Sequence, residues 1–392
     1  MAMSTSTSAW KRTGILFLGH AVNDSYGDFL APLLPLLIKR LDLSLAMAGL
    51  LGTVRILANS LAQPGLGLLV DRAQRPFLVA LGPLLTVPAM SLIGPVRSFG
   101  WLLALMVIAG LGTALFHPAA ASLVGTGSGR NRGLLMAFFS SGGTIGAAIA
   151  APLVIAFVER RGLERTPWLI LPGLVGVAIV AASLAFSRTG YRVSRPQTEG
   201  SARPKLERLP PRLILLWFVI ALRALAATAF SSFLAVLITA RGGSTLAGGA
   251  GISVFLVGGA LGEFLGGSLS DRFGRKAVLF GAAVLAAPCF LLVLYGPSVL
   301  LFPFLAAAGL FVFSSNPVGT VAAQECLPGQ TGLASGLMMG LAWGVGGLAL
   351  APIGRFADLH GLVPVMTGVA CLPLLAGILV LFFREGRPAP DR

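Results

Sequence analysis

The sequence predicts an all-α membrane protein, with twelve transmembrane helices in two pseudo-symmetric six-helix halves. Three observations carry that prediction. Uncharged apolar runs long enough to cross a bilayer recur along the chain, one basic segment divides them, and the two parts repeat at an offset near 200 residues.

The apolar runs come first because they settle the solvent. Of the 392 residues, 56% are hydrophobic and 11% are charged, against about 25% charged in soluble domains. A soluble chain this apolar exposes greasy patches and aggregates. A spanning helix needs about 20 mostly apolar residues. Pro76–Val96, Ser98–Gly129, Gly133–Val158, Thr166–Ser187 and Gly242–Gly262 meet that length, and Ala277–Gln324 holds two spans broken at Gly296-Pro297. The expected spans are 13–38, 45–70, 76–96, 100–125, 133–158, 167–187, 212–240, 246–270, 275–296, 298–324, 331–355 and 361–383. The first twelve residues end in Lys11-Arg12, with no cleavage pattern of a removable signal peptide behind them.

The net charge of +15 is topological and implies no nucleic acid. With the N-terminus inside, nineteen of the 29 Lys and Arg fall on inner segments, eight on outer ones, and Arg55 and Arg223 within spans. The positive-inside rule therefore puts both termini in the cytoplasm of a bacterial inner membrane, with the bilayer as a partner. The three cysteines, 289, 326 and 371, have no paired spacing and imply neither a disulfide framework nor a metal cluster.

The dividing segment is rich in Arg, Pro and Ser. It gives an N-terminal half at 1–187, a basic cytoplasmic linker at 188–212 and a C-terminal half at 213–392. The halves repeat. Gly67-Leu68-Leu69-Val70-Asp71-Arg72 lies over Gly267-Ser268-Leu269-Ser270-Asp271-Arg272. Phe116-His117-Pro118 lies over Ser315-Asn316-Pro317, Arg132-Gly133-Leu134 over Thr331-Gly332-Leu333, and Ala151-Pro152 over Ala351-Pro352. Parallel six-span repeats are a transporter architecture, with substrate bound between the halves near the midplane. Glycines at small-xxx-small spacings allow close helix packing, and prolines 118, 152, 317 and 352 bend the helices that hold them.

Ionisable groups at membrane depth face a cavity or a partner. In the first span His20, Asp24 and Asp28 are spaced four apart and share a helix face. Desolvation near mid-span penalises a charged Asp24, which suits it to carry a proton; a structural hydrogen bond is the alternative. At 1.5 Å per residue, His20 and His117 each fall about 7 Å to the inner side of their span centres. They can therefore share one cavity, as proton carriers or as structural histidines. No ligand spacing links them to Asp24, so no metal and no cofactor is expected. Arg223 and Arg55 stay charged. Arg223 calls for a carboxylate of the protein or for a substrate anion, and Arg55 can snorkel or pair with Asp28. Asn23, Asp28, Arg55, Phe116, His117, Arg223 and Asn316 are the substrate-lining candidates, with Gln324 behind them.

The loop after the eighth span, Gly267-Ser268-Leu269-Ser270-Asp271-Arg272-Phe273-Gly274-Arg275-Lys276, has a degraded copy at Gly67-Leu68-Leu69-Val70-Asp71-Arg72-Ala73-Gln74-Arg75. A carboxylate at a helix end can pair with arginines and a helix N-terminus, and so latch the cytoplasmic side. The full copy is similar to the loop signature of major facilitator transporters. Asp71, Arg72, Arg75, Asp271, Arg272, Arg275 and Lys276, with Glu263 one turn earlier, are expected to form the cytoplasmic gate. His20-Ala21-Val22-Asn23-Asp24, Phe116-His117-Pro118, Gln63-Pro64 before Gly67, and the glycine-rich run Ser141–Pro152 resemble the fosmidomycin-resistance subgroup. The likeness covers most of the first half and extends to the second through the loop. It implies a proton-driven exporter of small, often anionic drugs. Ala119 stands where that subgroup is expected to carry an acidic residue after Phe-His-Pro, which leaves Asp24 as the main proton candidate.

The expected function is therefore a proton-coupled antiporter exporting small anionic or amphipathic compounds by alternating access, with protons and a small molecule as partners, acting as a monomer. A proton symporter importing a small carboxylate uses the same parts, and a sensor or lipid flippase on the same fold is the reading from another class. No enzyme is expected, because the sequence carries no nucleophile elbow, phosphate loop or metal cluster.

Overall fold

The computed structural model describes residues 2–73, 78–125, 132–186, 209–327, 334 and 337–384. The first span is not one helix. It consists of α1 (Ala2–Gly27) and α2 (Leu30–Leu41), separated by a turn at Asp28 and Phe29. Pro32 explains the break. It has no N–H to return to the carbonyl of Asp28, and its ring crowds that carbonyl. The ladder instead tightens, with Phe29 N donating to Tyr26 O at 3.0 Å. The expected single helix at 13–38 is corrected accordingly, and the break is what places Asp28.

The other first-half spans are α3 (Leu45–Ala73), α4 (Leu78–Ser91), α5 (Phe99–Gly125), α6 (Arg132–Arg161) and α7 (Ile170–Phe186), the last entered through a 3-10 segment at Leu163–Leu169. The rest are α8 (Pro211–Ala240), α9 (Thr245–Phe273), α10 (Arg275–Tyr295), α11 (Leu301–Cys326), α12 (Ala342–His360), preceded by a π turn at Leu337–Leu341, and α13 (Leu362–Leu381). Ten of these segments are long and apolar enough to cross a membrane, and α4 is a shorter apolar helix. With α1 and α2 counted as one broken span, the described helices supply the twelve expected spans.

The repeat extends to backbone and packing details. Ser44 Oγ accepts from Met47 N at 3.2 Å to cap α3, and Ser244 Oγ accepts from Ala247 N at 3.0 Å to cap α9. Asp42 and Gly242 take positive φ before those helices, at 50° and 84°. Gly162 and Gly361 take 88° and 87° after α6 and α12. A Cβ on Gly110 would strike the backbone of Arg55, and one on Gly309 would strike the backbone of Phe255. Each pair is separated by 199 or 200 positions, so both halves use the same turns and the same close helix approach.

The chain forms two compact units, Met1–Arg203 with Ala235–Ser253, and Pro204–Leu234 with Val254–Arg392. In the first, Leu16, Leu115, Phe116, Ala120, Leu135, Phe139 and Val180 form a buried core joining α1, α5, α6 and α7. In the second, Leu216, Val219, Ile220, Leu279, Val318, Ala322 and Val380 join α8, α10, α11 and α13. Large apolar side chains such as Trp101, Trp168, Leu171 and Phe382 are exposed, as lipid-facing residues are.

In the second unit α9 meets α11 through Gly258, Gly262 and Gly266, where an added Cβ would run into the carbonyls of Ala306, Leu310 and Ser314. Gly262→Ala must therefore push two backbones apart. Overpacking of this kind costs about 1–3 kcal/mol, and the purified variant is expected to melt several degrees below the parent. An unchanged melting temperature would mean that the contact is not rigid.

Candidate functional site

The first unit holds a cluster built from α1, α5 and α6. Helical periodicity sets His20 one turn before Asp24 on α1, and His117 reaches them from α5. His20 Nε2 lies 3.0 Å from Asp24 Oδ2 and 3.0 Å from His117 Nε2. His117 Nε2 lies 3.6 Å from Asp24 Oδ1. His20 is buried, while the Asp24 and His117 side chains keep 23% and 28% exposure, so the cluster is enclosed but reachable.

The surroundings orient each member. His20 Nδ1 donates to the carbonyl of Phe139 at 2.9 Å, because a carbonyl can only accept. The His20 ring stacks on Phe139 at 4.5 Å between centroids and tilts against Phe116 at 5.6 Å. Asn23, wholly buried, donates from Nδ2 to Asp24 Oδ1 at 2.8 Å, and Thr86 Oγ1 on α4 donates to Asn23 Oδ1 at 3.1 Å. Phe116 is also fully buried. Both residues, counted in the sequence among the substrate-lining candidates, are placed to hold the cluster. Gly143 on α6 passes so close that a Cβ there would sit 2.5 Å from both Asp24 Oδ2 and His20 Nε2.

The proton accounting decides what this arrangement requires. With Nδ1 of His20 committed to Phe139, its Nε2 carries a lone pair whenever the ring is neutral. That lone pair faces an Asp24 oxygen and a second imidazole nitrogen, both within hydrogen-bond distance. A neutral His117 can turn an N–H toward that lone pair, but the Asp24 oxygen 3.0 Å away is matched to it only with a proton between them. Among the described residues the ion-pair partners of Asp24 are the two histidines.

Gly143→Ala tests the closeness of α6. The added methyl must displace Asp24 or His20, an overpacking that costs about 1–3 kcal/mol, and the purified variant is expected to melt several degrees below the parent. An unchanged melting temperature would mean that the cluster tolerates being opened.

Near the cluster, Arg55 Nη2 donates to Asp28 Oδ1 at 3.1 Å, one of the two alternatives the sequence left open for Arg55. The Asp28 side chain is 43% exposed, so this ion pair is partly wet. The second unit holds a further charged group within a span. Arg223 is 4% exposed; its Nη1 donates to Val312 O at 3.2 Å, and its guanidinium lies 5.3 Å from the Trp343 ring centroid. Its Nε and Nη2 have no hydrogen-bond partner among the described residues. Glu263 is the carboxylate whose charge acts on Arg223, and it accepts from Asn316 Nδ2 at 2.7 Å. Glu263, expected at the gate, therefore sits with the substrate candidate Asn316.

At the loop signature Arg275 is the hub. Its Nη1 donates to Asp271 Oδ1 and to Ser270 Oγ, each at 2.6 Å, and its Nε and Nη2 reach Glu325 Oε1 at 3.3 Å. Lys276 Nζ donates to the carbonyl of Leu381 at 2.7 Å. Arg272 folds over the Phe273 ring. Gly274 takes φ 89° at the joint between α9 and α10, a conformation that favours glycine. The matching first-half candidates, the side chains of Asp71 and Arg72 and the whole of Arg75, lie outside the described residues. Sequence reasoning missed Glu325, Trp343, Thr86, Gly143 and the Phe139 carbonyl. Only the two charged or aromatic side chains at span depth or span end offered a signal.

Comparison with known proteins adds the family context. The family model described as Major Facilitator Superfamily matches residues 16–252 and 216–392. An uncharacterized MFS-type transporter of Bacillus subtilis (strain 168), YfnC, is 31% identical over 376 residues, which covers 93% of this chain and 90% of that protein. The fosmidomycin resistance protein of Escherichia coli (strain K12) is 28% identical over 392 residues, 98% of this chain and 96% of its own. A bacterial homolog of the human lysosomal transporter Spinster, solved inward-facing and occupied, superposes with a TM-score of 0.77 at 19% identity, over 96% of this chain and 98% of that one.

Proposed function

The chain belongs to the major facilitator superfamily of membrane transporters, and from that premise we propose that it is a proton-coupled antiporter that exports small anionic or amphipathic compounds. It is an integral membrane transporter and not an enzyme. The observation that carries the coupling is the convergence of His20, Asp24 and His117 on one point. Such a cluster holds together when a proton sits among its lone pairs and loosens when the proton leaves, which is what a coupling site needs. Its depth in the membrane makes it expensive to keep without a function.

Three observations support the solute side of the reading. Arg223 presents on one edge of its guanidinium two donors that have no hydrogen-bond partner among the described residues, the geometry that takes an oxyanion bidentately. Trp343 beside it adds an apolar face. The Escherichia coli relative is named for resistance to a drug, which favours efflux. The Lys and Arg distribution supports an inner membrane location with both termini cytoplasmic. A working unit of one chain, with halves 1–187 and 213–392 about the linker 188–212, belongs to the same reading.

Purified protein in proteoliposomes with a trapped pH indicator tests it, against a panel of small carboxylates, phosphonates and lipophilic drugs. Antiport predicts proton movement opposite to the solute. Proton movement with the solute would make the protein an importer, and solute movement without protons would remove the coupling.

A further inference from the structure

We propose that His20, Asp24 and His117 form a binding site for a divalent transition-metal ion of the zinc class. The argument is one of donor geometry and stands apart from the coupling reading. A tetrahedral ion with bonds of about 2.0–2.1 Å keeps its ligand atoms about 3.3–3.4 Å apart. His20 Nε2 lies 3.0 Å from Asp24 Oδ2 and 3.0 Å from His117 Nε2, His117 Nε2 lies 3.6 Å from the other carboxylate oxygen, Oδ1, and one donor atom from each residue lies within 4.8 Å of the others. Two imidazole nitrogens and one carboxylate oxygen are a donor set suited to zinc, cobalt, nickel or iron. Three protein ligands leave a fourth position for water or an anion, the pattern of an open metal site.

The outer contacts match what a metal requires. A ligating histidine donates its other ring N–H to a carbonyl or carboxylate, and a ligating carboxylate is itself hydrogen-bonded. Here His20 Nδ1 donates to Phe139 O at 2.9 Å, which fixes Nε2 as the metal-facing atom. Asn23 Nδ2 donates to Asp24 Oδ1 at 2.8 Å, while Oδ2 faces His20 Nε2. Gly143 lets α6 pass beside the cluster without a side chain, since a Cβ there would lie 2.5 Å from Nε2 and Oδ2. The partly exposed Asp24 and His117 side chains give an ion a way in. Neighbouring Arg55 is engaged with Asp28, so its charge is compensated locally. An ion held here ties α1 to α5.

Cobalt tests the site directly. Protein purified without a polyhistidine tag and stripped with chelator is titrated with Co2+ in detergent. The expected result is one ion per chain, with the intense visible bands of four- or five-coordinate Co2+ displaced by Zn2+. Affinity is expected to fall by at least about tenfold in His117→Gln and in Asp24→Asn. His360→Gln, the remaining histidine, at the exposed end of α12, should bind as the parent does. His117→Cys keeps a ligand and should add a thiolate-to-cobalt charge-transfer band, a signal that a misfolded variant cannot imitate. Only the pale spectrum of octahedral Co2+, or equal affinity in folded ligand variants, would overturn the site. Proton–solute coupling measured in vesicles with chelator present separates the two readings. Coupling that persists while Co2+ fails to bind sinks the metal site alone, and Co2+ binding without coupling sinks the antiporter alone.

Discussion

Proteoliposomes carrying Asp24→Asn are expected to show no more solute-driven pH change than vesicles without protein. Asparagine nearly matches the shape of aspartate, so α1 keeps its packing and the buried Asn23–Thr86 contact keeps its place. What changes is the proton inventory. The carboxylate accepts a proton and gives it up, whereas the amide has no such pair of states. An amide nitrogen at that position also donates permanently to a histidine Nε2 now 3.0 Å away, which freezes the cluster in one hydrogen-bonded form. Solute counterflow, which exchanges solute for solute and needs no net proton, should survive. The combination of lost coupling with retained exchange separates a coupling role from a folding role. Parental coupling in Asp24→Asn would make Asp24 structural and end the antiport reading. Asp24→Glu provides a graded check. Its extra methylene pushes the carboxyl toward Gly143, where there is no spare room, and partial coupling is expected.

Much of this was legible before any coordinates. Apolar run length marks the spans because lipid offers no partner for a broken backbone, and the offset near 200 follows from duplicated turns, now visible at Ser44 and Ser244. The i, i+4 spacing of His20 and Asp24 put them on one face, and counting rise per residue brought His117 to their depth. What sequence did not reveal was carried by the backbone. The Phe139 carbonyl that sets the His20 tautomer looks like any other peptide unit, and Gly143 looks like any packing glycine in a glycine-rich helix. The break at Asp28 was hidden because Pro32 lies in an unbroken apolar run, where proline is common in spans. Glu325 was passed over because it belongs to no repeat, although Arg275 uses it as well as Asp271. Residue types announce side-chain chemistry, while acceptor carbonyls and close approaches depend on the fold.

Arg223→Ala is expected to reduce transport of anionic solutes by roughly 10- to 100-fold, since a hydrogen bond to a charged group contributes about 1.5–3 kcal/mol. The reasoning turns on what the buried guanidinium lacks. Nη1 is spent on Val312 O, and Trp343 covers the group, but Nε and Nη2 have no partner among the described residues. A cation buried for structure alone would have its donors filled, and removing it would cost about 3–5 kcal/mol by stranding its partner. Here Glu263 already accepts from Asn316, so it keeps a donor when Arg223 is gone. The melting temperature of Arg223→Ala, or of the better-filling Arg223→Met, should therefore stay near the parent's or rise, while anion transport collapses. Arg223→Lys should recover little, because an ammonium cannot offer two parallel donors from a planar edge. A neutral solute carried by the same protein should be affected least. If Arg223→Ala melted far below the parent and transported residual anion normally, the arginine would be a structural strut, and the oxyanion would have to be recognised elsewhere in the chain.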